Sequence, residues 1–210
     1  MKSYLNPSVH PSLNQSELDE NKTLEHPTRA QQNRALMNTP IPSLKDVIFG
    51  DLERETAVTR KVLERLPEAH FDWKPHEKSM SLERLALHVA DMPDWIRASV
   101  AADELDAASA PRPPAKLENL AQLLERFDRN VVAMRQAVER FDVTNWNHPW
   151  TMRQGEQVIV TKPRPIVYRV WCINHMIHHR AQLCLYLRLL NVPVPTVYFN
   201  TADDPQFVFE

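Results

Sequence analysis

The sequence predicts an all-α protein: an antiparallel four-helix bundle with long connections, a short irregular hairpin or lid before the last helix, and a disordered N-terminal tail. Three observations predict it. The 210 residues hold two glycines against seventeen prolines, so the chain lacks the residue that tight β-turns demand. Apolar residues recur every three or four positions over long stretches, the spacing of one helix face. Prolines fall where those stretches stop.

Residues 1–40 are polar and without periodicity, and form the expected tail; residues 41–210 form the expected bundle domain. Met37, just ahead of the first periodic stretch, is a candidate biological start. Ser43 fits an N-cap, with Asp46 three residues on completing a capping-box-like start, and the first helix is expected over 43–66, ending before Pro67. Ser81 fits the N-cap of a second helix over 82–104. Pro93 removes one amide from that helix, which predicts a kink one turn beyond His88. The run Pro111-Arg112-Pro113-Pro114 forces a linker. A third helix over 116–141 carries Leu117, Leu120, Leu124, Phe127, Val131, Met134, Val138 and Phe141 at helical spacing. Residues 142–163 break that pattern and suggest the hairpin or lid, with Trp150 and Met152 as its candidate pocket residues. A fourth helix over 164–191 ends before Pro193 and Pro195.

Composition excludes several classes of function. The two glycines, Gly50 and Gly155, cannot build a dinucleotide-binding, P-loop or nucleophile-elbow motif. Twenty-five basic and 27 acidic residues leave a net charge of −2, without the basic footprint of a nucleic-acid binder. No apolar run is long enough to span a bilayer, and no apolar segment follows the first residues as in a secretory signal. Cys172 and Cys184 fall on one expected helix, about 18 Å apart, too far to bridge. A reduced, cytoplasmic protein is expected. Cys172 stands close enough in sequence to His175 to raise a thiol–imidazole pair, but its apolar setting argues for an inert core thiol. A di-iron bundle would need paired E-x-x-H helices, which the predicted helices lack.

Histidine carries the remaining chemistry. Of nine histidines, His88, His175, His178 and His179 fall inside expected helices. His175 and His179 differ by about 40° around a helix, so both imidazoles reach one metal ion. Trp171, Gln182 and Tyr186 share that face, while Arg169, Arg180 and Arg188 gather on roughly the opposite side. His88 lies among Leu85, Met92, Trp95 and Ile96 on the second helix, with Asp91 three residues on. Three inward histidines suit a tripod with one open position; hydrogen-bonded core histidines are the competing explanation, and spacing alone leaves both standing.

The stretches Ser81-Leu82-Glu83-Arg84-Leu85-Ala86-Leu87-His88-Val89-Ala90-Asp91 and Asn174-His175-Met176-Ile177-His178-His179-Arg180-Ala181-Gln182, followed by Tyr186-Leu187-Arg188 and Val192-Pro193-Val194-Pro195, resemble the DinB-like superfamily of metal-binding four-helix bundles. The resemblance covers about 40–204. It implies His88, His175 and His179 as metal ligands, and a hydrogen-bonding role for His178. It implies a divalent metal, Zn or Ni first, with Fe or Mn as further candidates, and a homodimer. It also implies a partner that is a small-molecule thiol, an electrophile or both, rather than nucleic acid or membrane. Sulfoxide synthases that share this bundle carry H-x-x-x-H-x-E; here Ala181 stands at the last position. The usual Y-G-P-S-A-D ending is replaced by Tyr198-Phe199-Asn200-Thr201-Ala202-Asp203.

The expected function is a metal-dependent enzyme whose mononuclear His₃ site activates a thiol or water, in thiol-transferase-like or hydrolase-like chemistry. Asp91 is the candidate catalytic residue. The alternative is a non-catalytic, metal-stabilised dimerisation or stress-response module.

Overall fold

The computed structural model describes residues 28–29, 41–109 and 116–204. The chain divides into two compact units, Met1–Ile41 and Pro42–Glu210. Of the first, Thr28, Arg29 and Ile41 are described, and all three are exposed. The expected tail and the candidate start at Met37 otherwise lie outside the described residues, as does the linker Pro111–Pro114.

In the second unit, α1 (Leu44–Phe49) and α2 (Leu52–Leu63) replace the single first helix expected. Ser43 caps α1 with a full capping box: its hydroxyl accepts from the Asp46 amide at 3.1 Å, and the Asp46 carboxylate accepts from the Ser43 amide at 2.9 Å. The break falls at Gly50, where a Cβ would run into the Asp46 carbonyl. Helix α3 (Leu82–Ala101) starts at Ser81, which accepts from the Arg84 amide, and runs through Pro93. Helix α4 (Leu120–Arg140) starts four residues later than the sequence predicts, because Asn119 caps the Gln122 amide.

The all-α expectation is corrected by a three-stranded mixed sheet. Strand β1 (Glu104–Asp106) runs parallel to β2 (Pro149–Gln154), which pairs antiparallel with β3 (Gln157–Pro163). Gly155 makes the tight turn between β2 and β3 at φ 61°, the left-handed region glycine tolerates. Charge draws β1 in: Arg153 of β2 pairs with Glu104 and Asp106, and Asp106 also accepts from the Gly155 amide at 2.9 Å. Three residues with one apolar side chain are too short to carry an alternating pattern, so β1 left no hydrophobic signature. The hairpin is no lid at Trp150. That indole is 1% exposed and donates to the Ala98 carbonyl, which fixes β2 to the end of α3. Arg164, also buried, adds bonds to the Ser99 and Ala102 carbonyls and to Asp103. It thereby satisfies carbonyls that the end of α3 leaves unpaired.

The expected fourth helix is three pieces. One turn, Arg164–Ile166, enters a seven-residue π-helix, Val167–Ile173, which leads into α5 (Asn174–Leu189). The wider winding shows in the Asn174 amide, which donates to the Arg169 carbonyl five residues back. The core sits between α2, α3, α4 and α5, with Val62, Leu63, Leu82, Leu85, Ile96, Leu123, Met134, Met176 and Leu183 all buried in it. Phe49, Phe141, Trp146 and Tyr168 close one end with edge-to-face contacts, ring centroids 5.2–6.3 Å apart.

Candidate metal centre

Helices α3 and α5 pack side by side, and their contacts fix opposite directions. Tyr186 near the end of α5 donates to the Met80 carbonyl just before α3, while His175 at the start of α5 meets His88 further along α3. This antiparallel pairing brings together the three histidines the sequence singled out. Nε2 of His88 lies 3.2 Å from Nε2 of His175, which lies 2.8 Å from Nε2 of His179. The ring centroids form a near-equilateral triangle with sides of 4.9, 4.5 and 4.6 Å. One nitrogen from each ring lies within 4.8 Å of the other two, and no other group of this kind occurs among the described residues. Tetrahedral coordination at about 2.0–2.1 Å per bond separates ligand nitrogens by roughly 3.3 Å, close to these spacings.

The far sides of two rings fix their protonation. Nδ1 of His175 lies 3.2 Å from the Trp171 carbonyl, which can only accept, so that nitrogen donates. Nδ1 of His179 likewise donates to Oε1 of Gln182 at 2.7 Å. With the proton on Nδ1, the neutral tautomer leaves Nε2 a lone pair, and the two Nε2 atoms face each other across 2.8 Å. Burial, then the neighbouring histidines and Arg84, push the His88 imidazole down from 6.5 to about 4. Burial also lowers His179, against the opposing effect of its hydrogen bond to Gln182. Three ring nitrogens converging on one point suit a cation that accepts lone pairs.

The remaining sequence candidates are not part of this group. Asp91 is outside the histidine group and forms a two-pronged ion pair with Arg126 of α4, at 2.6 and 3.1 Å, and accepts from Asn130. His178 is exposed and stacks edge-on to His179, with centroids 4.9 Å apart. Cys172 is buried, and burial pushes its thiol up to about 12, so it remains protonated and unreactive. Both cysteines are free.

Sequence reading placed Arg180 on roughly the opposite side from the histidines, with Arg169 and Arg188. The structure turns it toward α2 and buries it there. Its guanidinium pairs with Glu55 of α2 at 2.8 Å and donates to Tyr198 Oη, Thr59 Oγ1 and the Glu55 carbonyl at 2.6, 3.0 and 3.1 Å. Tyr198 Oη in turn donates to Glu55 at 2.9 Å. The charge adjacent to His179 thus locks α5 to α2 and to the segment after α5.

A family model for the DinB family matches residues 37–206, most of the chain and all of the histidine triad. The chain belongs to the DinB family. No curated protein matches it by sequence. Three solved structures share the DinB fold with it. A DinB-like protein from Bacillus cereus is 20% identical with a TM-score of 0.55, covering 72% of this chain and 95% of its own. One from Bacillus subtilis is 18% identical with a TM-score of 0.53, covering 69% and 91%. A DinB family member from Exiguobacterium sibiricum is 18% identical with a TM-score of 0.51, covering 78% and 99%. Among the described residues of this DinB chain, no helix is long and apolar enough to cross a membrane.

Proposed function

We propose that this DinB family protein is a metal-dependent enzyme in which His88, His175 and His179 hold one divalent cation that activates a small-molecule thiol or a water for transfer or hydrolysis. The observation that carries this reading is the pair of Nε2 lone pairs facing each other at 2.8 Å, each fixed by a hydrogen bond from the far side of its ring. Without a proton between them that arrangement is repulsive, and a divalent ion relieves it. All-imidazole ligation suits Zn or Ni, with Fe and Mn also accommodated. When bound, the cation supplies a Lewis acid that favours the deprotonated form of a coordinated thiol or water. The chain's own residues supply orientation: Gln182 and the Trp171 carbonyl aim two rings, and the lock at Arg180 holds the turn of α5 that carries His179. The reading assigns Asp91 no part in proton transfer, because its carboxylate is committed to Arg126.

A second reading, a metal-stabilised dimerisation module, draws on one feature. Leu185 and Leu189, one turn apart on α5, are 56% and 52% exposed and form an apolar strip suited to a second copy of the chain. A homodimer is compatible with either reading, and a reducing cytoplasmic setting fits the two free thiols.

The test is metal content by elemental analysis in the wild type and in His88→Ala, His175→Ala and His179→Ala, with unfolding followed with and without chelator. The expected result is about one equivalent of divalent metal in the wild type, lost in all three variants, and a lower melting temperature in chelator for the wild type alone. Full metal retention in the three variants would sink the tripod. A cobalt-loaded protein whose visible spectrum ignores added thiol would favour the dimerisation module.

A further inference from the structure

The seam between α2 and α4 is bridged at its outer edge by charge. Arg60 of α2 pairs with Asp128 of α4 at 2.8 and 3.0 Å, and Glu53 pairs with Arg135 at 2.7 Å. Further along α4, Lys45 of α1 donates to the Glu139 carbonyl at 2.7 Å. Glu53, Arg135 and Glu139 also line a hollow of about 550 Å³, within the range of roughly 300–1,000 Å³ common for small-molecule sites. Phe49, Leu52 and Val138 give it apolar walls. Phe49 is fixed there by edge-to-face contacts with Phe141, Trp146 and Tyr168. The hollow shares no residue with the histidine group.

Charge on the rim selects the occupant. Arg135 is taken by Glu53, and Lys45 lies within electrostatic reach of Asp46 and Asp142. Arg140, which also lines the hollow, is exposed, and among the described residues its guanidinium makes no ion pair and no hydrogen bond. An open guanidinium fork fits the two coplanar oxygens of a carboxylate. The exposed Glu139 on the same lining repels a multiply charged group, which favours a single negative charge.

We propose that this hollow binds a small monocarboxylate with an apolar body, its hydrocarbon against Phe49, Leu52 and Val138 and its carboxylate on Arg140. Removing hydrocarbon from water supplies most of the affinity, and Arg140 selects for the charge. The ion pairs across the seam are partly exposed and contribute little each, so an occupant that touches both helices raises stability. The site does not depend on the metal centre, which lies between α3 and α5.

The experiment titrates the full chain with octanoate, 1-octanol and acetate by calorimetry, with the melting temperature as a second readout. Wild type, Arg140→Gln, Val138→Phe and His88→Ala are compared. The wild type is expected to bind octanoate saturably and to melt higher in its presence. It should bind octanoate about tenfold more tightly than 1-octanol, the scale of one charge-assisted contact, and acetate not at all. In R140Q, which alters an exposed side chain and leaves the fold in place, octanoate falls to the affinity of 1-octanol. V138F fills the hollow and loses both ligands, while H88A binds octanoate as the wild type does. No saturable octanoate binding in the wild type, equal affinity for octanoate and 1-octanol there, or octanoate binding unchanged in R140Q or in folded V138F, overturns the proposal. Loss of octanoate binding in H88A assigns the carboxylate to the histidines and overturns it equally.

Discussion

Removing the carboxylate of Glu55 tests whether the lock beside the histidines holds the site. Glu55 and Arg180 are each 1% exposed; their salt bridge is 2.8 Å long, and Tyr198 bonds both partners. In Glu55→Ala the guanidinium keeps Thr59, Tyr198 and the residue 55 carbonyl as acceptors, but its charge stays buried without a counter-charge. Breaking a buried pair in this way costs about 3–5 kcal/mol. For a chain of this size each kcal/mol lowers the melting temperature by roughly 2–4 °C, so E55A should melt about 6–20 °C below the wild type. The scan is run in excess chelator, so that metal affinity does not enter. A double variant, Glu55→Leu with Arg180→Met, removes both charges and should recover most of the loss, because the penalty lies in the orphaned charge. Held well below its melting temperature, E55A should also bind metal more weakly, since Arg180 follows His179 directly. A loss under about 1 kcal/mol, or a double variant no better than E55A, would refute the reasoning.

Two further expectations concern neighbouring groups. Asp91→Asn should lower stability by about 1 kcal/mol through the weakened, partly exposed pair with Arg126, and leave metal content at the wild-type level; loss of metal in this variant would return Asp91 to the site. The pH dependence of the metal-free protein follows from His88, whose pKa falls from 6.5 to about 4 on folding, first through burial. Above 6.5 the ring is neutral in both states and stability is fully present. Between 6.5 and 4 the unfolded chain takes up a proton that the native state refuses, so stability falls as pH falls and levels off below 4. Denaturant unfolding of wild type and His88→Ala in chelator should show a shallower slope for the variant across that window.

The features legible in the sequence are those that one helix settles by itself. Ser43 with Asp46, and Ser81, mark helix starts because a cap is a bond within four residues. His175 and His179 share a face because four residues span little more than one turn. His88 required more: an inward face could be read from Leu85, Met92 and Ile96, but its meeting with His175 depends on α3 and α5 packing antiparallel, a long-range contact that no spacing encodes. Strand β1 was invisible for a different reason. Its pairing with β2 is held by the carboxylates of Glu104 and Asp106 on Arg153, and charged residues in a three-residue stretch read as loop.

Arg180 shows what a helical wheel leaves out. Around α5, Arg180 lies about 140° from His175 at 100° per residue, which on a helix with one buried face is solvent. But α5 packs on α3 with its histidine side and on α2 with the side beyond Met176, Leu183 and Leu187. The buried arc therefore runs from His175 through to Arg180, and the exposed arc holds Asn174, His178, Ala181, Leu185 and Arg188. A helix buried on two sides has room for two polar assemblies, each satisfied by a different neighbour. The histidines turn toward α3, where lone pairs converge, and the arginine turns toward α2, where a carboxylate waits. Treating every charged residue as solvated assigns the second assembly to water and misses what holds the first in place. The same geometry explains why the three histidines need no glycine-built loop: two helices, pinned by a buried ion pair on the far side of one, already bring three ring nitrogens together around a common point.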